Sequence, residues 1–170
     1  MIETTTREQA DLIETLGKHR FFLRHALREL PDEQARLRTT VSTLTLGGLV
    51  KHVSAVERLW ARFIAEGPSA FGNFDATDGA AYAALFEMTE TDTVEALLER
   101  YAEVAAATDE LVRTLPDLNV SQPLPEASWF QPGAAWSARR VLLHIIAETA
   151  QHAGHADIIR ESLDGAKTMG

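Results

Sequence analysis

Apolar residues recur along this chain at spacings of three and four, the rhythm of helices that bury one face. Period-two alternation is weak throughout, so the pattern predicts an all-α four-helix bundle. The first long helix is expected over about residues 6–29. Its seam is Leu12, Leu16, His19, Leu23, Ala26 and Leu30, with Pro31 as its stop. The second is expected over about residues 45–65, striped by Leu49, Val53, Val56, Trp60 and Phe63 and stopped by Gly67-Pro68. The third covers about residues 93–115, with Asp92 as N-cap and Glu95 as its reciprocal partner. The fourth covers about residues 138–163 behind a Ser137 cap. A short helix is expected at about residues 33–37.

The connections are long. Residues 66–90 carry Gly67, Gly72 and Gly79, and residues 116–136 hold four of the six prolines and two of the three tryptophans. Loops of this length in a compact domain commonly serve as lids or pocket walls, and they permit crossover connections.

At 170 residues and 45% hydrophobic, one domain over residues 1–170 with a real core is expected. A net charge of −9 and a pI near 5.1 argue against a nucleic-acid partner, whose backbone needs a basic surface. The absence of cysteine removes disulfides, thiolate ligands and a cysteine nucleophile together. Residues 1–10 are polar and lack the apolar stretch of a signal peptide. No run approaches the apolar length of a membrane span. A cytoplasmic location is the resulting expectation.

The seam of the last helix reads Val141, Ile145, Glu148, His152, His155, Ile159. A carboxylate and two imidazoles take positions where a bundle wants Leu or Ile. An unpaired ionised carboxylate in a core is costly unless it is neutralised, paired or bound to a metal. Glu148 and His152 lie one turn apart on one face, able to chelate a single cation. The best third ligand is His52, which shares the inward stripe of the second helix. Two imidazoles and a carboxylate suit zinc first, with nickel or iron as alternatives, and leave positions open for water or substrate. His155 can be a fourth ligand, a general base or a partner across the bundle. His144 lies on the seam's edge and reads as structural. Gly154 would allow close helix approach or room for a ligand. Arg139 and Arg140 occupy the first turn of the last helix, where the dipole disfavours cations, which hints at anion or cofactor binding. Trp129, Phe130 and Trp136 can wall a pocket or simply anchor the last loop. Arg160 reads as a salt-bridge residue.

Three segments carry a family resemblance: Leu46-Gly47-Gly48-Leu49-Val50-Lys51-His52-Val53, Glu57-Arg58-Leu59-Trp60, and Trp136-Ser137 followed by residues 143–161, with His152-Ala153-Gly154-His155-Ala156-Asp157 at their centre. Together they resemble the DinB-like superfamily, and within it the actinobacterial branch related to mycothiol-dependent enzymes. The resemblance implies a bundle holding a divalent metal by one His of the second helix and two ligands of the last. Many members place His-x-x-x-His on the last helix, whereas this chain has Glu148 at the first of those positions. That set is similar to the His/Glu/His of mycothiol-dependent maleylpyruvate isomerases, and it carries over as His52, Glu148 and His152.

The implied function is a metal-dependent transferase or isomerase in which a low-molecular-weight thiol such as mycothiol attacks a small electrophile. A bound metal fits that chemistry by lowering a thiol's pKa. Two other readings stand beside it: a hydrolase using metal-bound water with His155 as base, and a non-enzymatic metal- or ligand-binding stress protein. The resemblance also points to a homodimer.

Overall fold

The computed structural model describes residues 5–72, 79–127 and 129–168. The start of the N-terminal stretch and residues 73–78 of the long second connection lie outside them. Among the described residues six α-helices follow one another: α1 (Arg7–His25), α2 (Asp32–Ala35), α3 (Leu46–Glu66), α4 (Gly79–Ala84), α5 (Val94–Thr114) and α6 (Ala138–Asp164), with a 3-10 turn at Gly67–Phe71. The expected all-α bundle is therefore present. It carries one small addition, an antiparallel pair β1 (Ser121–Pro123) and β2 (Ala135–Ser137), with Gln122 opposite Trp136. Strands of three residues are too short to print an alternation that sequence could reveal.

Among the long helices, α1 packs on α5 and α6, and α3 packs on the same two. The helices α1 and α3 thus face each other across the bundle diagonal, as do α5 and α6. The connections from α1 to α3 and from α5 to α6 cross that diagonal. Of the two long loops expected to permit crossovers, the one from α5 to α6 makes one, whereas the one from α3 to α5 joins neighbours.

The helix ends follow local chemistry. Thr6 and Gln9 form a reciprocal capping box at α1, and Gln9 Nε2 also donates to the carbonyls of Val112 and Leu115 at the end of α5. The first helix stops at His25, short of residue 29. The carbonyls beyond it turn inward, where Arg160 Nη1 takes those of Ala26 and Arg28 at 2.9 Å each. Arg160 also pairs with Asp164, so its expected salt bridge is present. The N-cap of α5 is Thr93, whose hydroxyl accepts from Ala96 N, and not Asp92. The Asp92 carboxylate is drawn away by Lys51 Nζ at 2.9 Å and the Thr89 amide at 2.8 Å. At the end of α3, Gly67 has φ +63°, and Gln122 reaches over it to donate to Ile64 O, fastening the β pair to that helix.

The core is divided. One apolar cluster gathers Leu23, Val53, Leu97, Tyr101, Ala153 and Ile159, and another gathers Leu16, Trp60, Phe63, Val112, Val141 and Ile145. Between them the seams change character at one level: Arg20 on α1, Glu57 on α3, Thr108 on α5 and Thr149 on α6 are all buried. Arg20, not His19, fills the step between Leu16 and Leu23. Its Nε and Nη2 grip the fully buried Glu57 carboxylate at 3.2 and 2.5 Å, and Nη1 holds Asp109 at 2.8 Å. Burial opposes the guanidinium charge, but these carboxylates outweigh it and raise its pKa. Tyr101 sits beside this layer. Burial first, and the Glu57 charge second, push its hydroxyl well above the ordinary phenol range.

Two expectations follow. Glu57→Ala leaves the buried guanidinium with Asp109 alone and costs about 3–5 kcal/mol in urea unfolding, whereas Arg20→Met with Glu57→Leu recovers about half or more of that loss. For Asp92, burial pushes the carboxyl up, but the Thr89 amide and the Lys51 ammonium outweigh it and hold the pKa at about 2, below the ordinary 3.8. Its contribution is therefore complete above about pH 4 and lost as pH falls towards 2. Asp92→Asn should cost about 1 kcal/mol at neutral pH, with the gap to wild type closing over that acid range in denaturation curves.

Candidate metal centre

His52, on α3, is 3% exposed, and it meets Glu148 and His152 on α6. Glu148 Oε2 lies 3.9 Å from His52 Nε2 and 3.6 Å from His152 Nε2. One ligand atom from each of the three falls within 4.8 Å of the others. Among the described residues no other group of three acids or imidazoles converges so closely. These separations exceed a direct hydrogen bond. Nearest ligand atoms around a tetrahedral zinc lie about 3.4 Å apart, so a modest contraction seats an ion between them. The donor set fits a divalent cation in both chemistry and spacing.

The imidazoles of His152 and then His52 act on Glu148 more strongly than burial does and hold its carboxyl well below the ordinary range. The lowered value favours the ionised carboxylate. Glu148 is not on the buried seam, where sequence periodicity put it. Thr149 fills that position, fully buried, and donates to Ile145 O, while the Glu148 side chain stands at the edge with 28% exposure. The carboxylate escapes the full cost of burial and can reach both an ion and solvent.

Glu148 also lines a cleft of about 730 Å³. Trp60, Phe71, Trp129, Phe130 and Trp136 wall it, and His144 stands beside the carboxylate. The aromatic groups lock one another: Trp136 stacks on Trp60 at 4.8 Å, and His144 meets both rings edgewise at 4.9 and 5.3 Å. Burial, helped by Arg140 and opposed by Glu148, lowers the His144 pKa and favours its neutral ring.

A family model for mycothiol-S-transferases matches residues 11–165. The chain belongs to that family. The solved structure of a conserved protein from Enterococcus faecalis is similar in fold, with a TM-score of 0.65 at 17% identity, over 95% of this chain and 99% of that one. No curated protein matches the chain.

The remaining sequence-predicted residues of this mycothiol-S-transferase family member divide into two groups. His155 Nδ1 lies 3.3 Å from His152 Nδ1, on the ring nitrogen opposite Glu148. It does not line the cleft. Trp129 does line the cleft, at its exposed rim. The two arginines do not join the site. Arg139 is bound by Glu8 and by Asn119 Oδ1 at 2.6 Å, tying α6 to α1 and the last loop. Arg140 covers the outer face of Trp136 at 4.1 Å, completing a sandwich with Trp60. Their position in the first turn of α6 therefore reflects tertiary partners. The cations that do line the cleft are Arg58 and Arg62. Arg62 is paired with Glu66, while Arg58 has no ion-pair partner among the described residues. No periodicity argument singles out Arg58, because an exposed helix arginine looks the same wherever it faces. Gly154 faces open space: a Cβ there would meet no heavy atom within 4 Å, so close helix approach is not its purpose.

The purified protein should bind about one divalent ion per chain. His52→Ala, Glu148→Ala and His152→Ala should each weaken binding by more than the roughly 10–100-fold typical of outer-shell changes. His155→Ala should fall within that 10–100-fold range and Arg139→Ala should leave affinity unchanged, as read by chelator competition and elemental analysis.

Proposed function

We propose that this chain is a metal-dependent enzyme that joins an external low-molecular-weight thiol of the mycothiol type to a small electrophile, by transfer or isomerisation. The observation that carries the reading is the convergence of His52, Glu148 and His152, with Glu148 also lining an aromatic cleft, in a chain with no cysteine and of this family. A divalent ion held by the triad, zinc by preference, supplies Lewis acidity that makes a thiol nucleophilic at neutral pH. The sulfur must come from outside, since the chain offers none of its own as a nucleophile.

The protein's residues do the rest. The flat walls made by Trp60, Phe130 and Trp136 take the apolar body of the electrophile and exclude water from its reacting carbon. His144, lined up with Glu148 along the cleft and held below the ordinary imidazole range by burial, accepts the thiol proton. His155 orients His152 through the second ring nitrogen, as outer-shell partners of metal ligands do. Arg58 faces an acidic substituent of the electrophile. No described helix is long and apolar enough to cross a membrane, which accords with small diffusible substrates and a cytoplasmic setting. Pairing into a homodimer belongs to this reading as well.

The test is turnover of electrophilic dyes and of maleylpyruvate-like acids by the metal-loaded protein, with and without mycothiol. Product should form only with both thiol and metal. Ester hydrolysis by the loaded protein without thiol would replace this reading with a metal-dependent hydrolase. Metal binding without turnover of either kind would leave a binding protein. Arg58→Ala should raise KM for acidic electrophiles about twofold to fivefold, the scale of an exposed charge contact, and leave neutral ones unaffected.

A further inference from the structure

Two consecutive glycines, Gly47 and Gly48, open α3 just behind its Thr45 cap, although each costs helix stability. Both positions are occupied from outside. A Cβ on Gly48 would meet the carbonyl oxygen of Phe86 at 1.9 Å and its carbon at 2.8 Å, and a Cβ on Gly47 would meet Met88 Sδ at 1.9 Å. The Phe86 contact is with main chain, which cannot swing aside. The segment 85–92 therefore lies directly on the helix backbone. Gly48 and His52 are one turn apart, so the segment crosses the face that carries the imidazole.

There Phe86 stacks on His52, with ring centroids 3.8 Å apart and planes within 17°, and meets His152 edgewise at 6.1 Å. Cations pin the segment from both sides. Lys51 Nζ donates to Glu87 O at 2.8 Å and to Asp92 Oδ2 at 2.9 Å. Arg36 donates to the carbonyls of Thr89 and Asp92, and Arg38 lies 3.6 Å from Glu87. So short a segment, held at this many points, is a rigid strap.

We infer that the strap 85–92 is a clamp on the metal centre, in which Phe86 is a positioning residue that fixes the plane of the His52 ring and thereby aims Nε2 at Glu148. The inference rests on the metal-centre reading above. An imidazole on a long side chain can rotate about its terminal torsion, and a face-to-face neighbour removes that freedom. A hydrocarbon ring also brings no donor atom to compete for the ion. Gly48 is the condition for this contact, because a side chain there would lift the Phe86 main chain away from α3 and its ring from His52.

The experiment measures Co²⁺ affinity by chelator competition and the visible Co²⁺ spectrum of the full-length protein, with thermal unfolding of the metal-free form as a folding control. Phe86→Ala should weaken Co²⁺ binding about 10–100-fold, the range of outer-shell changes, and alter the Co²⁺ bands. Phe86→Tyr, which keeps the flat face, should restore both. Phe86→Leu keeps apolar bulk without the flat face, so it should unfold near the wild-type temperature yet still lose affinity. Gly48→Ala should reproduce the spectral change with all ligands intact. Wild-type affinity and spectrum in Phe86→Leu and Phe86→Ala would overturn the clamp while leaving the metal centre standing. Failure of the wild type itself to bind Co²⁺ or Zn²⁺ would overturn both.

Discussion

Everything in this bundle is registered by the ion pair between Arg20 and Glu57. The two residues belong to α1 and α3, which face each other across the diagonal, and a bidentate contact across the bundle centre tolerates little sliding. Glu57 is wholly buried, so any shift that separated it from Arg20 would leave an uncompensated charge in the core. Asp109 brings α5 into the same arrangement, and Thr149 supplies the α6 member of the layer. Apolar contacts above and below provide cohesion. The polar layer decides which turn of each helix lies opposite which.

That register has a direct consequence for the site. His52 stands five positions before Glu57, and Glu148 adjoins Thr149. Along α6, Glu148 lies between the two apolar clusters, whereas His52 on α3 is flanked by Leu49, Val50 and Val53 of the first. The partial exposure of Glu148 follows from the same geometry and lets one group face both a cation and the cleft.

Aromatic side chains then shape what surrounds the triad. On one side Trp60, Trp136 and His144 lock into an edge-and-face cluster that makes a wall of the cleft. On the other side Phe86 lies flat on His52, carried by a strap that basic side chains of α3 and of the α2–α3 region hold down. The long connections, which in a bundle often do no more than reverse the chain, here supply walls of the cleft and the ring that lies on His52. The chain's membership in the mycothiol-S-transferase family and its lack of cysteine are both compatible with a site built this way.

The amino-acid sequence alone determined the helical class, the places of the four long helices, the Ser137 cap and the pairing of Glu148 with His152, because each depends on spacing within a few residues. It also singled out His52, since a polar residue on an apolar stripe has to be satisfied by something. The family motif added the same triad from resemblance. Tertiary structure decided the rest. Thr93 rather than Asp92 caps α5 because Lys51 from another helix captures the aspartate. Arg139 and Arg140 read as anion-binding from the helix dipole, yet Glu8 and Trp136, distant or blind to that argument, claim them. Arg20, Arg58 and Phe86 gave no local sign of their roles. Spacing along a chain reports which residues share a face, but only packing between helices reports what that face meets.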